Sequence, residues 1–314
     1  MKAAEVSLQP NFANPNYDPS MTLYVRHAIF DVDNTLVGNN SQNPPDKQFI
    51  AESERVAAGG GSVSIATARP LQKVEEILGA VPAHLAILSN GAQIFNPRNG
   101  EMIDEQIIPR QVAMDIVRTL QAVGVFHWVQ DDGVDHFVSP TNRSGATTKS
   151  RESSFGLGEY VMPKNLWLPA ESNNQLIVPS YAPQKPLVIV AKGIQTQDVP
   201  AMLDITRQYE AQDIKALEAH RVQQSDGSFL HEIFYVRSGA NKKDALQKYL
   251  EITQFKHEQT LGVGDGPNDG VLLEAAHVGV AVENAVPETK EKALFIAPSW
   301  NKFGAAVALS ALIR

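Results

Sequence analysis

The chain alternates short apolar runs with amphipathic stretches. Val25, Ala28, Ile29 and Phe30 form a first run that stops at Asp31. After a polar loop over residues 38–44, PPDKQFIAESERVAAGGG carries Pro near its start and glycines at its end, the punctuation of a helix. SVSIATARP is a short β-rich run, LQKVEEILGA has helical spacing, and LAILSNGAQIF is another apolar run closing at a turn. Strands separated by helices of this length imply right-handed crossovers and a parallel sheet. The end of the chain has the same rhythm. In NKKDALQKYLEI, Ala245, Leu246, Tyr249 and Leu250 share one helical face. TLGVGDG then reads as a strand, PNDGVLLEAA as a helix opened by Pro, HVGVAV as a strand, PETKEKAL as a helix, FIA as a strand and FGAAVALSALI as a closing helix.

The middle has a different pattern. A helix is expected over 110–123, then short strands in FHWVQD, DHFVS and PLVIVAK, a helix over 199–209, and the strands IKALEAHRVQQ and FLHEIFYV joined by SDGS. Hairpins with interspersed helices predict an α+β unit with a mostly antiparallel sheet. QDDGVDH reads as a hairpin turn at Asp132–Gly133, and SPTNRSGATTKSRESSFGLGEY as a long polar surface loop. The expected organisation is an irregular N-terminal arm (1–20), an α/β core (21–95 and 237–314) and an inserted α+β domain (96–236).

Composition narrows the function. The 314 residues suit one large domain or two ordinary ones, and the net charge of −8 at pH 7 argues against nucleic-acid binding. There is no cysteine, which removes disulfides, thiol catalysis and thiolate metal sites and fits a cytoplasmic protein. No apolar run approaches a membrane span, and the Asn- and Pro-rich opening lacks the apolar middle of a secretory signal. The oligomeric state is not legible. The expected partner is a small molecule.

Polar residues cluster where the core strands end. Asp31 and Asp33 follow the first, Thr67 and Arg69 the second, and Asp265, Asn268 and Asp269 follow TLGVG; Lys242 opens the helix that resumes the core. Ligands of open parallel sheets bind at the carboxyl ends of the strands, so these groups are expected on one rim. Asp31, Asp265 and the Asp33 backbone carbonyl are hard oxygen donors suited to Mg²⁺, which keeps positions for water or phosphate. Thr67 is expected at a helix N-terminus, favourable for a phosphate, and Lys242 adds positive charge. A carboxylate can then attack phosphorus, and a second Asp can serve as general acid and base. DVDNT alone is no more than an Asx-type turn leaving a strand.

Together, DVDNT, IATAR, the Lys of GANKKDAL and GDGPND resemble, in order, the four motifs of the haloacid dehalogenase superfamily. SNGAQIF and VGVAVENAVPETKEKALFIAPSWNKFGAAVAL resemble segments of its Cof-type phosphatases, and the insertion lies where those enzymes carry a large α/β cap. The resemblance runs from about Val25 to the C-terminus and implies a Rossmann-like α/β core with an inserted α+β cap. It also implies a Mg²⁺-dependent phosphatase acting on a small phosphate ester, with a sugar phosphate as the expected class. By this resemblance Asp31 is the nucleophile and Asp33 the general acid/base. Asp31, Asp265 and the Asp33 carbonyl hold Mg²⁺; Thr67, Lys242 and Asn268 grip phosphoryl oxygens; Asp269 orients its neighbours without touching metal. Phosphoryl transfer to another acceptor, as in a mutase, and a non-catalytic phosphometabolite sensor are the alternatives.

Two positions depart from the family pattern. Asn34 and Ala68 stand where Gly is commoner; Asn tolerates left-handed dihedrals and Ala does not. Lys243 competes with Lys242 for the lysine role, and spacing favours Lys242. Arg69 reads as half of a structural ion pair, and Asn90 equally well as a turn residue. The histidines of the insertion have no ligand spacing, and its polar loop offers Arg143, Lys149 and Arg151 to a second anionic group of the substrate or to solvent.

Overall fold

In the computed structural model, described for residues 7–21, 23–39, 41–131, 134–138 and 184–313, the apolar runs become strands of two separate sheets. The strands are β1 (Gln9–Pro10), β2 (His27–Phe30), β3 (Ser62–Ala66), β4 (Ala83–Leu88), β5 (Gln93–Asn96), β6 (Glu101–Glu105), β7 (Phe126–Asp131), β8 (Val134–Val138), β9 (Pro186–Gln195), β10 (Ile214–Gln223), β11 (Phe229–Arg237), β12 (Thr260–Gly264), β13 (Val278–Val282) and β14 (Phe295–Ala297). The α-helices are α1 (Lys47–Ala58), α2 (Glu75–Ala80), α3 (Arg110–Ala122), α4 (Val199–Asp204), α5 (Lys242–Thr253), α6 (Gly270–Ala275), α7 (Pro287–Lys292) and α8 (Gly304–Leu312).

The chain divides into two compact units, 1–106 with 239–314, and 107–238. The first holds a nine-stranded sheet in the order β1-β14-β13-β12-β2-β3-β4-β5-β6. From β14 to β4 the neighbours are parallel. Every residue of β2, β3, β12 and β13 is buried, the continuous apolar reading of strands covered on both faces. Aliphatic side chains such as Ile29, Ile65, Leu246 and Leu309 belong to one contiguous core.

The edges are antiparallel. β5 and β6 fold back as a meander on β4, so the sheet runs on past the boundary expected at residue 96. At the other edge, the N-terminal segment is irregular only in part. Gln9 and Pro10 pair with Ile296 and Phe295, and the Asn11 and Asn14 amides donate to the Ala293 carbonyl at the end of α7. Its asparagines satisfy carbonyls that a helix terminus leaves without partners.

The second unit holds a five-stranded antiparallel sheet in the order β10-β11-β9-β7-β8, with its own core of Val112, Ile116, Leu120, Ile189, Ile233 and Tyr235. The helix expected over 199–209 is split into α4 and a 3₁₀ segment at Arg207–Gln212. The Asp132–Gly133 turn and the loop containing Arg143, Lys149 and Arg151 lie outside the described residues. No helix among the described residues is long and apolar enough to cross a membrane.

Candidate active site

β2 and β12 are parallel neighbours, with Phe30 opposite Val263. The chain continues from β2 to β3 on one side and from β12 to β13 on the other. Residues just beyond these two strands therefore stand at the switch point of the sheet, where open α/β folds bind ligands. Asp31 and Asp265 are those residues. The Asp31 N–H donates to the Val263 carbonyl at 2.9 Å, which extends the ladder to the first carboxylate.

Asp269 joins them through a tight return of the chain. A Cβ on Gly264 would run into the Asp269 side chain, so only glycine lets the Pro267–Asp269 turn fold back on the strand end. There Asp269 Oδ2 accepts from the Asp265 and Gly266 N–H groups at 3.0 and 2.8 Å. One oxygen from each of Asp31, Asp265 and Asp269 lies within 4.8 Å of the other two.

Lys242 supplies the opposing charge. It is the first residue of α5, whose cap is reciprocal: Asn241 Oδ1 accepts from the Asp244 N–H at 3.0 Å, and Asn241 Nδ2 donates to Asp244 Oδ2 at 2.7 Å. That start turns Lys242 inward, to complete burial, and leaves Lys243 exposed. The Lys242 ammonium donates to Asp31 Oδ1 at 2.6 Å and to Asp269 Oδ1 at 2.5 Å. Burial works against its charge, but Asp269 and Asp31 outweigh that and raise its pKa. Burial, then the neighbouring Asp269, push the Asp31 carboxyl up to about 7 despite Lys242. Asp265 is pushed well above the ordinary carboxylate range by burial and by Asp31.

Asp33 is half-buried and differently held. Arg69 grips it with both carboxylate oxygens engaged, Nε to Oδ2 at 2.8 Å and Nη2 to Oδ1 at 2.6 Å. The third guanidinium nitrogen donates to the Ser41 carbonyl at 2.6 Å and the Lys73 carbonyl at 3.2 Å, which fixes the fork in place. Asn34 adopts φ 54°, the left-handed conformation for which asparagine is suited. Its carbonyl accepts from the Asn284 side chain at 2.9 Å.

Thr67 is buried just beyond β3, but not at the start of a helix as expected. Pro70 disfavours helical backbone at Arg69, and the chain passes through a 3₁₀ turn at Leu71–Lys73 before α2 begins. The Thr67 hydroxyl instead accepts from the Arg69 N–H at 3.1 Å. Asn268 is buried beside Asp269, its Nδ2 donating to Asn90 Oδ1 at 3.0 Å.

Three residues have partners that sequence reasoning did not reach. Thr35, buried, donates its hydroxyl to Asp265 Oδ1 at 3.2 Å. Arg69 is half of an ion pair, as read, yet its partner is Asp33. Asn90 pairs with Asn268. All three sat inside recognised motifs or segments, but nothing in local spacing identifies a partner 36, 178 or 230 positions away.

The donor set fits a hard divalent cation. Three carboxylates face one ammonium, leaving an excess of negative charge that such a cation would cancel. The hydrogen bonds engage Oδ1 of Asp31 and Oδ1 of Asp265, leaving the second oxygen of each for coordination. Asp269 has both oxygens occupied by N–H donors and suits an orienting position.

Comparison with known proteins identifies the family. The family model of haloacid dehalogenase-like hydrolases matches residues 28–309. The chain is 23% identical over 283 residues to the 5-amino-6-(5-phospho-D-ribitylamino)uracil phosphatase YwtE of Bacillus subtilis, covering 90% of this chain and 96% of that protein. Among solved structures, the subclass IIB sugar phosphatase BT4131 superposes with a TM-score of 0.66 at 18% identity, covering 91% of this chain and 98% of the other. BT1666 from Bacteroides thetaiotaomicron gives 0.66 at 18% identity, with 95% and 99% covered. With motifs in order, a carboxylate cluster at the switch point and a family match across both units, the chain belongs to the haloacid dehalogenase-like hydrolases, among their Cof-type phosphatases.

Proposed function

We propose that the protein is a Mg²⁺-dependent phosphatase that hydrolyses a small phosphorylated metabolite, a sugar phosphate above other classes, through an aspartyl-phosphate. The observation that carries this reading is the pairing of unlike carboxylates two residues apart. Asp31 is buried against Lys242, whereas Asp33 is half-buried and held by Arg69. A cation bound beside Asp31 would offset its raised pKa and keep it ionised for attack, while the half-exposed Asp33 is left to carry the proton.

An Asp31 oxygen attacks phosphorus while the bond to the ester oxygen breaks. The electron pair leaves with that oxygen, which takes a proton from Asp33. Asp33 then accepts a proton from water as the water oxygen attacks phosphorus, releasing inorganic phosphate and restoring Asp31. Lys242, Thr67 and Asn268 are assigned to the phosphoryl oxygens, and Asp269 to orienting Lys242 and the Asp265 backbone. Asp31, Asp265 and the Asp33 carbonyl would hold Mg²⁺, which would supply charge neutralisation for the phosphoryl group.

The substrate class rests on the relatives. One is named for a phosphoribityl substrate and another as a sugar phosphatase, and both names denote phosphate esters of hydroxyl-rich carbon chains. Selection among leaving alcohols is assigned to the inserted unit, since the groups above address only phosphoryl and metal. Purified protein should release phosphate from an aryl phosphate with Mg²⁺, lose this in EDTA and regain it on adding Mg²⁺. Asp265→Asn should raise the Mg²⁺ concentration for half-activity. Full activity retained by both Asp31→Asn and Asp265→Asn would overturn the assignment.

A further inference from the structure

Among the described residues of the first unit, a run of left-handed backbone lies outside the four motifs. Ser89, Asn90 and Gly91, between β4 and β5, have φ of 49°, 58° and 102°, three left-handed residues in succession. All three are buried. Left-handed backbone at non-glycine residues persists only where the surroundings enforce it, and it concentrates at functional sites.

This segment reaches every element of the site except the β2 loop. The Ser89 N–H donates to the Arg69 carbonyl and the Asn90 N–H to the Thr67 carbonyl, both at 2.9 Å. A Cβ on Gly91 would stand 2.5 Å from the Asn241 carbonyl oxygen, so glycine lets the turn press against the cap of the helix that begins with Lys242. The Asn90 side chain meets Asn268.

The Asn90–Asn268 contact contains a mismatch. Asn268 spends its Nδ2 on Asn90 Oδ1, and its own Oδ1 is buried without a hydrogen-bond partner among the described residues. A buried acceptor without a donor is unfavourable, and an acceptor turned to a phosphoryl oxygen would be repelled by it. Turning both terminal amides over preserves one hydrogen bond with its direction reversed. Asn90 Nδ2 then donates to Asn268 Oδ1, and Asn268 Nδ2 takes the position where the orphaned acceptor stands. The terminal torsion of asparagine is broad and roughly two-fold, which makes the reversal accessible. An amide at position 90 can serve as acceptor in one arrangement and donor in the other, which a carboxylate cannot.

We propose that Asn90 is a positioning residue that presents the Asn268 amide N–H to the phosphoryl group by exchanging the acceptor role for the donor role. This rests on the phosphatase reading, in which Asn268 binds a phosphoryl oxygen. Asn90 touches no carboxylate of the metal cluster in the hydrogen bonds above.

Two variants separate the amide from the backbone. Asn90→Gly tolerates the left-handed conformation and deletes the side chain. Asn90→Asp keeps the size and the acceptor, tolerates the conformation, and cannot donate as a carboxylate. Both should remain folded with unchanged Mg²⁺ half-saturation, Asn90→Asp at a lowered melting temperature because it buries a charge. Both should lower kcat/KM for an aryl phosphate and weaken inhibition by inorganic phosphate by roughly tenfold or more, the effect of one hydrogen bond to a charged group. Asn90→Asp should be no better than Asn90→Gly, although it retains the observed hydrogen bond. A purely structural role predicts the opposite order. Turnover and phosphate inhibition in Asn90→Asp matching the unmodified protein would overturn the proposal while leaving the phosphatase reading intact. An unmodified protein inert on all phosphate esters would remove both.

Discussion

The two units bury charge in opposite ways. In the inserted unit, Asp131 is buried at the end of β7, and its carboxylate accepts from the Gln184 and Lys185 backbone N–H groups at 2.8 and 2.5 Å. That anion is consumed by the main chain it anchors. In the first unit, Asp31 and Asp265 are set near another carboxylate, and their pKa values are raised by burial and by that crowding. A buried carboxylate satisfied by backbone donors is architectural. One held against its like is in an arrangement the fold alone would not favour, which marks a site where a ligand of opposite charge completes the balance.

Removing the central anion tests that contrast most severely. Asp31→Asn should lower phosphate release by about a thousandfold or more, the scale of losing a nucleophile. Because crowding destabilises the ionised form, the same variant should match or exceed the unmodified protein in denaturant resistance without Mg²⁺ at pH 8. Asp131→Asn should do the reverse, with lost stability and little change in chemistry. An Asp31→Asn protein that is less stable in EDTA would break the comparison.

The cation comes next. Lys242→Met leaves Asp31 and Asp269 facing each other without compensation, and should cost about 3 kcal/mol of unfolding free energy in EDTA. Mg²⁺ should recover part of that loss. A stability unaffected by the substitution would mean that the cluster is not held by the ammonium.

The smallest effect sharpens the difference in acid. In the inserted unit His127 is buried with Nδ1 2.8 Å from the Val125 carbonyl, and burial holds its pKa down to about 4. Its unfolded value is near 6.5, so the unfolded chain binds the extra proton between these limits. Stability from this group is complete above about pH 7 and falls as the pH drops towards 4, by about 2 kcal/mol at pH 5. His127→Gln should flatten that slope. Asp31, raised to about 7, has the opposite sense: its ionised form costs stability above the unfolded value, and acid relieves the cost. His27 in the first unit shares the sense of His127, its pKa lowered to about 4 by burial, so the contrast is read from the two variants and not from the whole curve.

Much of this was legible in the chain. Short apolar runs with helices between them predict parallel strands because a strand covered on both faces has no polar face to show. Asp31, Asp33, Thr67, Asp265, Asn268 and Asp269 are legible as candidates because they stand directly after such runs, and strand ends are the rim of an open sheet. The order of four motifs identified the family. The inserted antiparallel unit was visible in its hairpins, and Lys242 was preferred to Lys243 by spacing.

What the chain could not specify alone were the partners of those residues. Hydrogen bonds and ion pairs depend on where distant segments meet, and helical or strand periodicity carries no record of it. Arg69 reads as half of a structural ion pair near the rim, but only the fold shows its fork closing on Asp33; Asn90 reads equally well as a turn residue, and only the fold brings it to Asn268 across 178 positions. The sheet's extension through β5 and β6, and the docking of Asn11 and Asn14 on the end of α7, were equally hidden, because edge pairing is chosen by which backbone groups remain unpaired after the core has assembled. The sequence by itself determined which groups could do chemistry and on which rim they would stand. Only the tertiary structure decided which carboxylate would be crowded, which would be clamped and which amide would hold another, because those states arise from burial and proximity created when β2 and β12 come side by side.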